Sequence, residues 1–352
     1  MNKIRFGSKL LLSKIRGKKI PFQVNIHLTD RCNLRCKYCY VDLEHPNQDM
    51  PLEEVLKILT DARRMGAERI SLEGGDPLLY PAIGEVVARI KKLGMECNIN
   101  TNGLLVPQKI HEIKGADLLT VSIDGDEAAH DRFRGKGSFQ KAIKAIRIAK
   151  QHGMKVHAMS VMTQGNAHCV DFLLALAKET GAPFVPNTLI FNPNESKRDK
   201  NREEEYILQN GEWRALFQSL YDKKKKDEPI VWSLKTLKHV VSWPFSARQN
   251  RVHADDLKSR KGWKAPECMA GRYFCVIQTN GNMYPCDSLL DHRDAPNCFQ
   301  LGFRKAFELL EKYGCSACTS LVCNEMHHLF GLSPSVLSNL VKNYGKTKCK
   351  KS

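Results

Sequence analysis

Cys32, Cys36 and Cys39 stand at a Cys-x3-Cys-x2-Cys spacing that puts three thiolates on one short loop. Three thiolates can wrap a cube-shaped iron–sulfur cluster, yet they ligate only three of its irons and leave the fourth open to an exogenous ligand. A structural zinc would want a fourth protein ligand, and His27 and His45 flank the loop at spacings that do not supply one. Tyr38, between the last two cysteines, places an aromatic ring against such a cluster or its ligand. A second concentration runs Cys268-x12-Gly281-x4-Cys286, then Cys315-x2-Cys318-x4-Cys323, with Cys349 near the end. The 13 cysteines read as metal or cluster ligands before disulfides, because no export signal is visible and the cytosol keeps thiols reduced. Cys97 and Cys169 stand alone and read as small buried hydrophobes, while Cys275 and Cys298 fit either role.

The elements that must position the first loop are legible around it. Phe22, Val24, Ile26 and Leu28 alternate with polar residues at the period of a strand and run straight into the cysteines. Leu52, Val55, Leu56, Leu59 and Ala62 then recur at helical spacing. Further strands are predicted over 69–73, 95–100, 118–123, 156–161 and 184–190, with helices after Pro81, after Pro107, over 139–151 and around 172–178. Six strands alternating with helices imply an α/β fold of parallel units joined by right-handed crossovers, as an open sheet or a partial barrel. Functional residues then belong just past the C-terminal ends of the strands. The expected organisation is a basic arm over 1–20, the α/β core over 21–192, a charged helical connector or lid over 193–262, and a small Cys-rich domain over 263–352.

Four stretches follow the predicted strands in order: Gly74-Gly75-Asp76-Pro77, Thr101-Asn102-Gly103, Ser122-Ile123-Asp124-Gly125, and His130-Asp131-x-x-Arg134-Gly135-x-Gly137-Ser138-Phe139. With the cysteine loop, they resemble the radical S-adenosylmethionine (SAM) superfamily over residues 20–190. The resemblance implies a partial (β/α)6 TIM-like barrel, a [4Fe–4S] cluster on Cys32, Cys36 and Cys39, and SAM as cofactor. It places Tyr38, Gly74, Gly75, Asp76, Asn102, Ser122, Asp124 and Arg134 around SAM, with the Gly-Gly-Asp segment at its amino group and Arg134 on its carboxylate. The family's usual Glu is Asp76 here, one methylene shorter. The chemistry agrees: SAM can chelate the open iron, glycines let backbone approach closely, and an Arg offers paired donors to a carboxylate. The implied activity is reductive cleavage of SAM to a 5′-deoxyadenosyl radical that abstracts a substrate hydrogen.

In the tail, 276–278 and 282–284 read as a hairpin about an Asn280-Gly281 turn, which would set Cys268 and Cys286 at opposite ends of a rigid ribbon. The arrangement resembles the SPASM or twitch extension of radical SAM enzymes, which carries auxiliary [4Fe–4S] clusters. That resemblance implies Cys268, Cys275, Cys286, Cys315, Cys318 and Cys323 as ligands. The match is incomplete, since the third spacing is shortened and His327 stands where a cysteine is usual. One auxiliary cluster is the preferred reading, because Cys349 sits in a lysine-rich terminus where fraying is the default. The alternative is two clusters, with His327 and Cys349 completing the second. A zinc ribbon on Cys268, Cys286, Cys315 and Cys318 is the structural competitor.

Composition sets the outer bounds. A length of 352 residues suggests two domains or one large α/β domain with an appendage. With 42% hydrophobic and 26% charged residues the chain can bury a core and is not disordered. No apolar run approaches the ~20 residues of a membrane span, and Leu10–Leu12 is too short for a signal peptide, so a cytoplasmic protein is expected. Seven Lys or Arg interleave with Ile4, Phe6, Leu10, Leu11 and Ile15 in the first twenty residues. That arm reads as a cap on the fold, or as a peripheral helix on the inner membrane face. It is also too short to fold a leader-peptide-binding domain. The net charge of +17 invites an acidic substrate or a lipid surface. The expected function is peptide or protein maturation, or natural-product or cofactor biosynthesis, on a peptide, small-molecule or lipid substrate and with a flavodoxin- or ferredoxin-type reductant. A hopanoid-type lipid-modifying enzyme is the alternative. A basic zinc-binding nucleic-acid protein is the competitor from another class; it leaves Gly74-Gly75-Asp76-Pro77 and Ser122–Gly125 unexplained, and the lysines are dispersed, so no nucleic-acid partner is expected.

Overall fold

The structure is a computed structural model that describes residues 3–39, 48–189, 206–260, 262–290, 294–311 and 313–345. Its first element is α1 (Lys3–Ile15), followed by six strands and their crossovers. These are β1 (Gln23–Thr29), α2 (Leu52–Arg64), β2 (Arg69–Gly74), α3 (Ile83–Lys92), β3 (Glu96–Thr101), α4 (Val106–Ile113), β4 (Leu118–Ser122), α5 (Glu127–Arg134), α6 (Ser138–Gln151), β5 (Val156–Met162), α7 (Val170–Thr180) and β6 (Phe184–Thr188). Strands β1 to β6 are all parallel and neighbour one another in chain order, which is the expected partial barrel.

The alternation along each strand explains both faces. On β1, Val24, Ile26 and Leu28 are buried under the helices, whereas Gln23 and Asn25 line the barrel interior. On β2, Ile70 and Leu72 pack outward, and Arg69, Ser71 and Glu73 line the interior. On β5, Val156 and Ala158 pack outward, and His157, Met159 and Val161 face in. A period of two thus puts an apolar shell outside and turns a mixed set of polar and apolar side chains into the lumen.

The rest of the chain closes this lumen. Elements α8 (Asn210–Lys225) and α9 (Leu234–Val241) follow, with residues 229–231 bonded along the β6 edge through Phe184. Then come β7 (Arg251–His253), α10 (Ala254–Lys258), β8 (Phe274–Ile277), β9 (Met283–Tyr284), α11 (Cys298–Leu301), α12 (Phe303–Glu308), β10 (Cys315–Cys318), α13 (Leu321–Phe330) and α14 (Pro334–Gly345). The predicted hairpin is present as β8 and β9, with Gly281 at a φ of +84° in its turn. It is not part of a detached unit: β8 pairs in parallel with β1 and extends the barrel sheet to eight strands. Helix α13 lays Val322, Glu325, Met326 and Leu329 along the cavity.

The basic arm is a cap. Phe6 meets Phe22 edge-on at 5.2 Å and Phe330 at 6.2 Å, and Leu10 is buried in the same cluster. Its opposite face leaves Leu11, Leu12 and Ile15 exposed. Among the described residues, no helix is long and apolar enough to cross a membrane.

Candidate functional site

Cys32, Cys36 and Cys39 lie beyond the C-terminal end of β1 and line the mouth of a cavity of about 360 Å³ inside the barrel. Gly74, Gly75, Asn102, Ser122, Arg134 and Tyr38 line the same cavity. The structure therefore brings these six together with the three cysteines.

Their roles differ from the expectation in several places. The glycine pair serves the protein first. A Cβ on Gly74 would lie 2.2 Å from the Thr29 carbonyl oxygen, and one on Gly75 would lie 2.2 Å from that of Arg31. Gly75 N donates to Thr29 O and Asp76 N to Arg31 O, both at 2.8 Å, so this segment laces onto the backbone that leads into Cys32. Asp76 is buried and does not line the cavity. Its Oδ1 accepts from Leu78 N at 2.9 Å, and its Oδ2 accepts from Thr101 Oγ1 at 2.8 Å and Asn102 N at 2.9 Å. The shortened carboxylate thus ties the β2 loop to the β3 loop. Burial pushes its pKa up, and the three donors pull against that. Asn102, held in this way, reaches Asn33 at 2.7 Å and Cys32 Sγ at 3.8 Å.

Asp124 and Arg134 form a buried pair. Asp124 is fully buried and outside the cavity lining. Arg134 Nε donates to its Oδ2 at 2.5 Å, Nη2 donates to Tyr38 Oη at 2.6 Å, and Tyr38 Oη donates to Asp124. Arg134 Nη1 lies 3.7 Å from Cys36 Sγ. The guanidinium thus pairs with a buried carboxylate through Nε and Nη2, while Nη1 is the edge turned toward Cys36 and the cavity. Burial pushes the Cys36 thiol up, and Arg134 draws it back.

The motif from His130 to Phe139 spans two helices rather than opening one. Helix α5 ends at Arg134, and Gly135 and Gly137 adopt positive φ before α6 begins. Asp131 bridges the break by accepting from Gly137 N at 2.5 Å and Phe139 N at 2.9 Å. His130 Nδ1 accepts from Asp124 N at 3.1 Å, and burial lowers its pKa to about 4, so it stays neutral.

Three functional candidates escaped sequence reasoning. His27, Glu73 and Asp287 meet with one ligand atom each within 4.8 Å of the others, and Glu73 and Asp287 line the cavity. His27 and Glu73 are register partners on β1 and β2, and Asp287 follows Cys286. Glu73 Oε1 accepts from Ser71 Oγ at 3.0 Å and Asn100 Nδ2 at 2.9 Å. Burial, then the field of Asp287, raises Glu73 to about 7. Burial alone would lower His27, but Asp287, Glu73 and Asp30 together lift it above its ordinary value. His27 Nε2 and Asp287 Oδ1 are buried, lie 3.9 Å apart, and have no hydrogen-bond partner among the described residues. The alternation of β1 with β2 would have placed His27 and Glu73 on one face; Asp287 depends on a long-range register.

The second cysteine group also converges. Cys268, Cys286, Cys315, Cys318 and Cys323 line one pocket with His327. Cys268 and Cys286 are neighbours there, not the far ends of a ribbon, because a hairpin returns its two ends to one place. Cys323 and His327 lie one turn apart on α13, and His327 Nδ1 accepts from Met269 N at 3.2 Å. Cys286 and Cys318 are pushed well up as they share hydrogens with Cys323, which is held well down. A buried pocket walled by five sulfurs has the donor set of a thiolate-held cluster and exceeds the four sites of a zinc ribbon. Cys275 is corrected: it is fully buried in the main apolar core beside Cys298 and does not line this pocket. Cys349 lies outside the described residues.

Residues 26–177 match the Radical SAM superfamily. Over that stretch the chain is similar to radical SAM domains. Within its relatives it is 30% identical over 167 residues to the Fe-coproporphyrin III synthase of Methanosarcina barkeri, covering 45% of this chain and 41% of that protein. It is 31% identical over 157 residues to the GTP 3',8-cyclase of Clostridium perfringens, covering 42% of this chain and 48% of the cyclase. The alignments thus span less than half of either relative. Among solved structures, Streptococcus suis SuiB bound to S-adenosylmethionine superposes with a TM-score of 0.62 at 18% identity, covering 82% of this chain and 66% of SuiB. SuiB has also been solved bound to its precursor peptide SuiA. The radical SAM match covers Gly74–Pro77 and Ser122–Gly125, the motifs that the zinc-binding nucleic-acid reading leaves unexplained.

Proposed function

We propose that the chain is a radical SAM enzyme that takes a polar organic substrate into the barrel, beneath SAM held at the cysteine mouth. Cys32, Cys36 and Cys39 would hold a [4Fe–4S] cluster, which when bound would supply the one-electron chemistry for reductive cleavage of SAM and hydrogen abstraction from the substrate. The chain's own residues provide the rest. Asn102 and Arg134 set the electrostatics at Cys32 and Cys36. Ser122, Gly74 and Gly75 shape the wall where SAM would lie, and α13 shields the lumen from water.

The observation that carries this reading is three ligand cysteines opening onto a lumen with polar side chains. Asn25, Asn98, Asn100 and Asn187 line it, and Asn187 Oδ1 is buried without a partner among the described residues. With His27, Glu73 and Asp287, they suit a substrate rich in amide, hydroxyl or amine groups, such as a peptide or a cofactor precursor. Leu118, Val161, Val185, Trp232 and Leu329 also line the lumen, so the substrate can carry an apolar part, and the hopanoid-type alternative stands beside this reading. Auxiliary [4Fe–4S] chemistry belongs to the pocket of Cys268, Cys286, Cys315, Cys318 and Cys323. One cluster is favoured there, because His327 Nδ1 accepts a hydrogen bond and its other nitrogen then carries the ring proton. A flavodoxin- or ferredoxin-type reductant in the cytoplasm would supply the electron.

The test is anaerobic reconstitution with iron and sulfide, reduction with dithionite, and assay of 5′-deoxyadenosine from SAM. Production that disappears when Cys32, Cys36 and Cys39 become Ala supports the reading. A loaded, reduced protein that leaves SAM intact overturns it.

A further inference from the structure

Helix α13 has two working faces. One faces the barrel cavity, while His327, His328 and Gly331 at its far side line a separate surface pocket of about 490 Å³. Lys14 of α1, Lys235 and Lys238 of α9, and Lys264 converge on that pocket. Among the described residues, none of these four lysines has a carboxylate within ion-pair distance. Glu267 also lines the pocket, but it lies 3.7 Å from Arg272 and cannot balance four ammonium groups. Four like charges around a concavity repel one another, and an anion between them relieves that cost.

The wall also offers a neutral donor beside the charges, since Lys235 Nζ lies 3.2 Å from Ser333 Oγ and both residues line the pocket. We propose that this pocket binds a phosphate-class anion, with the lysines supplying charge and the Ser333 hydroxyl a hydrogen bond. Its volume matches a small organic phosphate rather than a lone ion. The same chemistry could come from a lipid headgroup, since Leu11, Leu12 and Ile15 are exposed on α1 beside Lys14. The pocket adjoins the sulfur-lined site: His327 lines both, and His239, also in the pocket wall, bonds through Nε2 to the Cys318 carbonyl at 3.0 Å.

The probes are inorganic pyrophosphate, followed by calorimetry and tryptophan fluorescence, and vesicles of phosphatidylglycerol or phosphatidylcholine, followed by sedimentation. Trp263 packs 5.2 Å from His239 and reports on the pocket wall. Saturable one-to-one pyrophosphate binding, weakened about tenfold or more by Lys235→Glu with Lys264→Glu, supports a soluble ligand. Binding only to phosphatidylglycerol vesicles, lost in the same variant, assigns the site to a headgroup. The control is Lys141→Glu with Lys144→Glu on α6, both exposed and remote in sequence. Equal loss in the control, or no binding of either probe, overturns the proposal. None of these readouts involves SAM cleavage, so the pocket stands or falls separately from the proposed activity.

Discussion

Gly75 runs so close to Arg31 that a Cβ on it would sit 2.2 Å from the Arg31 carbonyl oxygen and 2.5 Å from the carbonyl carbon. Both obstructing atoms are backbone, so neither can swing aside, and the residue that would move is the neighbour of Cys32. Gly75→Ala is expected to cost about 1–3 kcal/mol of stability, as overpacking does. It should also lower iron loading at the first site, because the cysteine loop would be displaced. Urea unfolding and iron content of the variant check this; a variant of unchanged stability would show that the close approach is easily relaxed.

Asp124 and Arg134 form a buried pair with Tyr38, and removing one member leaves the other charge stranded. Asp124→Ala is expected to destabilise the chain by about 3–5 kcal/mol. Asp124→Asn, which keeps the shape and loses the charge, should cost less yet still free Arg134 to shift relative to Cys36. Denaturant midpoints of the two variants measure the difference. Equal, negligible effects would mean that the pair is not what fixes Arg134.

The five cysteines that line the tail pocket make a separable claim. A protein with two clusters carries about eight irons. Cys318→Ala with Cys323→Ala should remove about half of them, and Cys32, Cys36 and Cys39 to Ala together should remove the other half. Cys275→Ala should remove none, since that thiol is buried in the apolar core. Iron analysis of the three variants decides the matter, and iron loss from the Cys275 variant would sink the assignment.

Much of this was legible in the chain because the signals were local. The period-two pattern from Phe22 to Leu28, the glycine pair and the cysteine spacing each report on a few adjacent residues, and the barrel follows from their repetition. What was not legible depends on distance in sequence. That Arg134 is held by Asp124, ten residues away, and by Tyr38, ninety-six residues earlier, is a relationship no local pattern carries. Cys275 has the right residue type and a plausible spacing, but its place on β8 next to β1 turns its thiol into the core. The His27–Glu73–Asp287 cluster needs the hairpin to join the sheet, which no local pattern announces.

That cluster supplies a pH prediction with a definite sign. Glu73 titrates near an ordinary value of 4.5 when unfolded and is raised to about 7 in the fold, chiefly by burial. Between those values the folded chain keeps a proton that the unfolded chain has released. Its stability is therefore greatest on the acid side and falls as pH rises through that window, by at most about 3 kcal/mol. His27, raised above its ordinary value of 6.5, works in the same direction, because its proton is also held more tightly when folded. Glu73→Gln keeps an acceptor for Asn100 and has no proton to lose. The variant should gain on the wild type as pH rises from about 5 to about 8, with little difference at the acid end. Denaturant unfolding of both proteins, prepared without iron, at the two pH values reads this directly. A stability difference that does not change with pH would mean that Glu73 ionises as an ordinary exposed carboxylate, and that the cavity wall holds no raised acid.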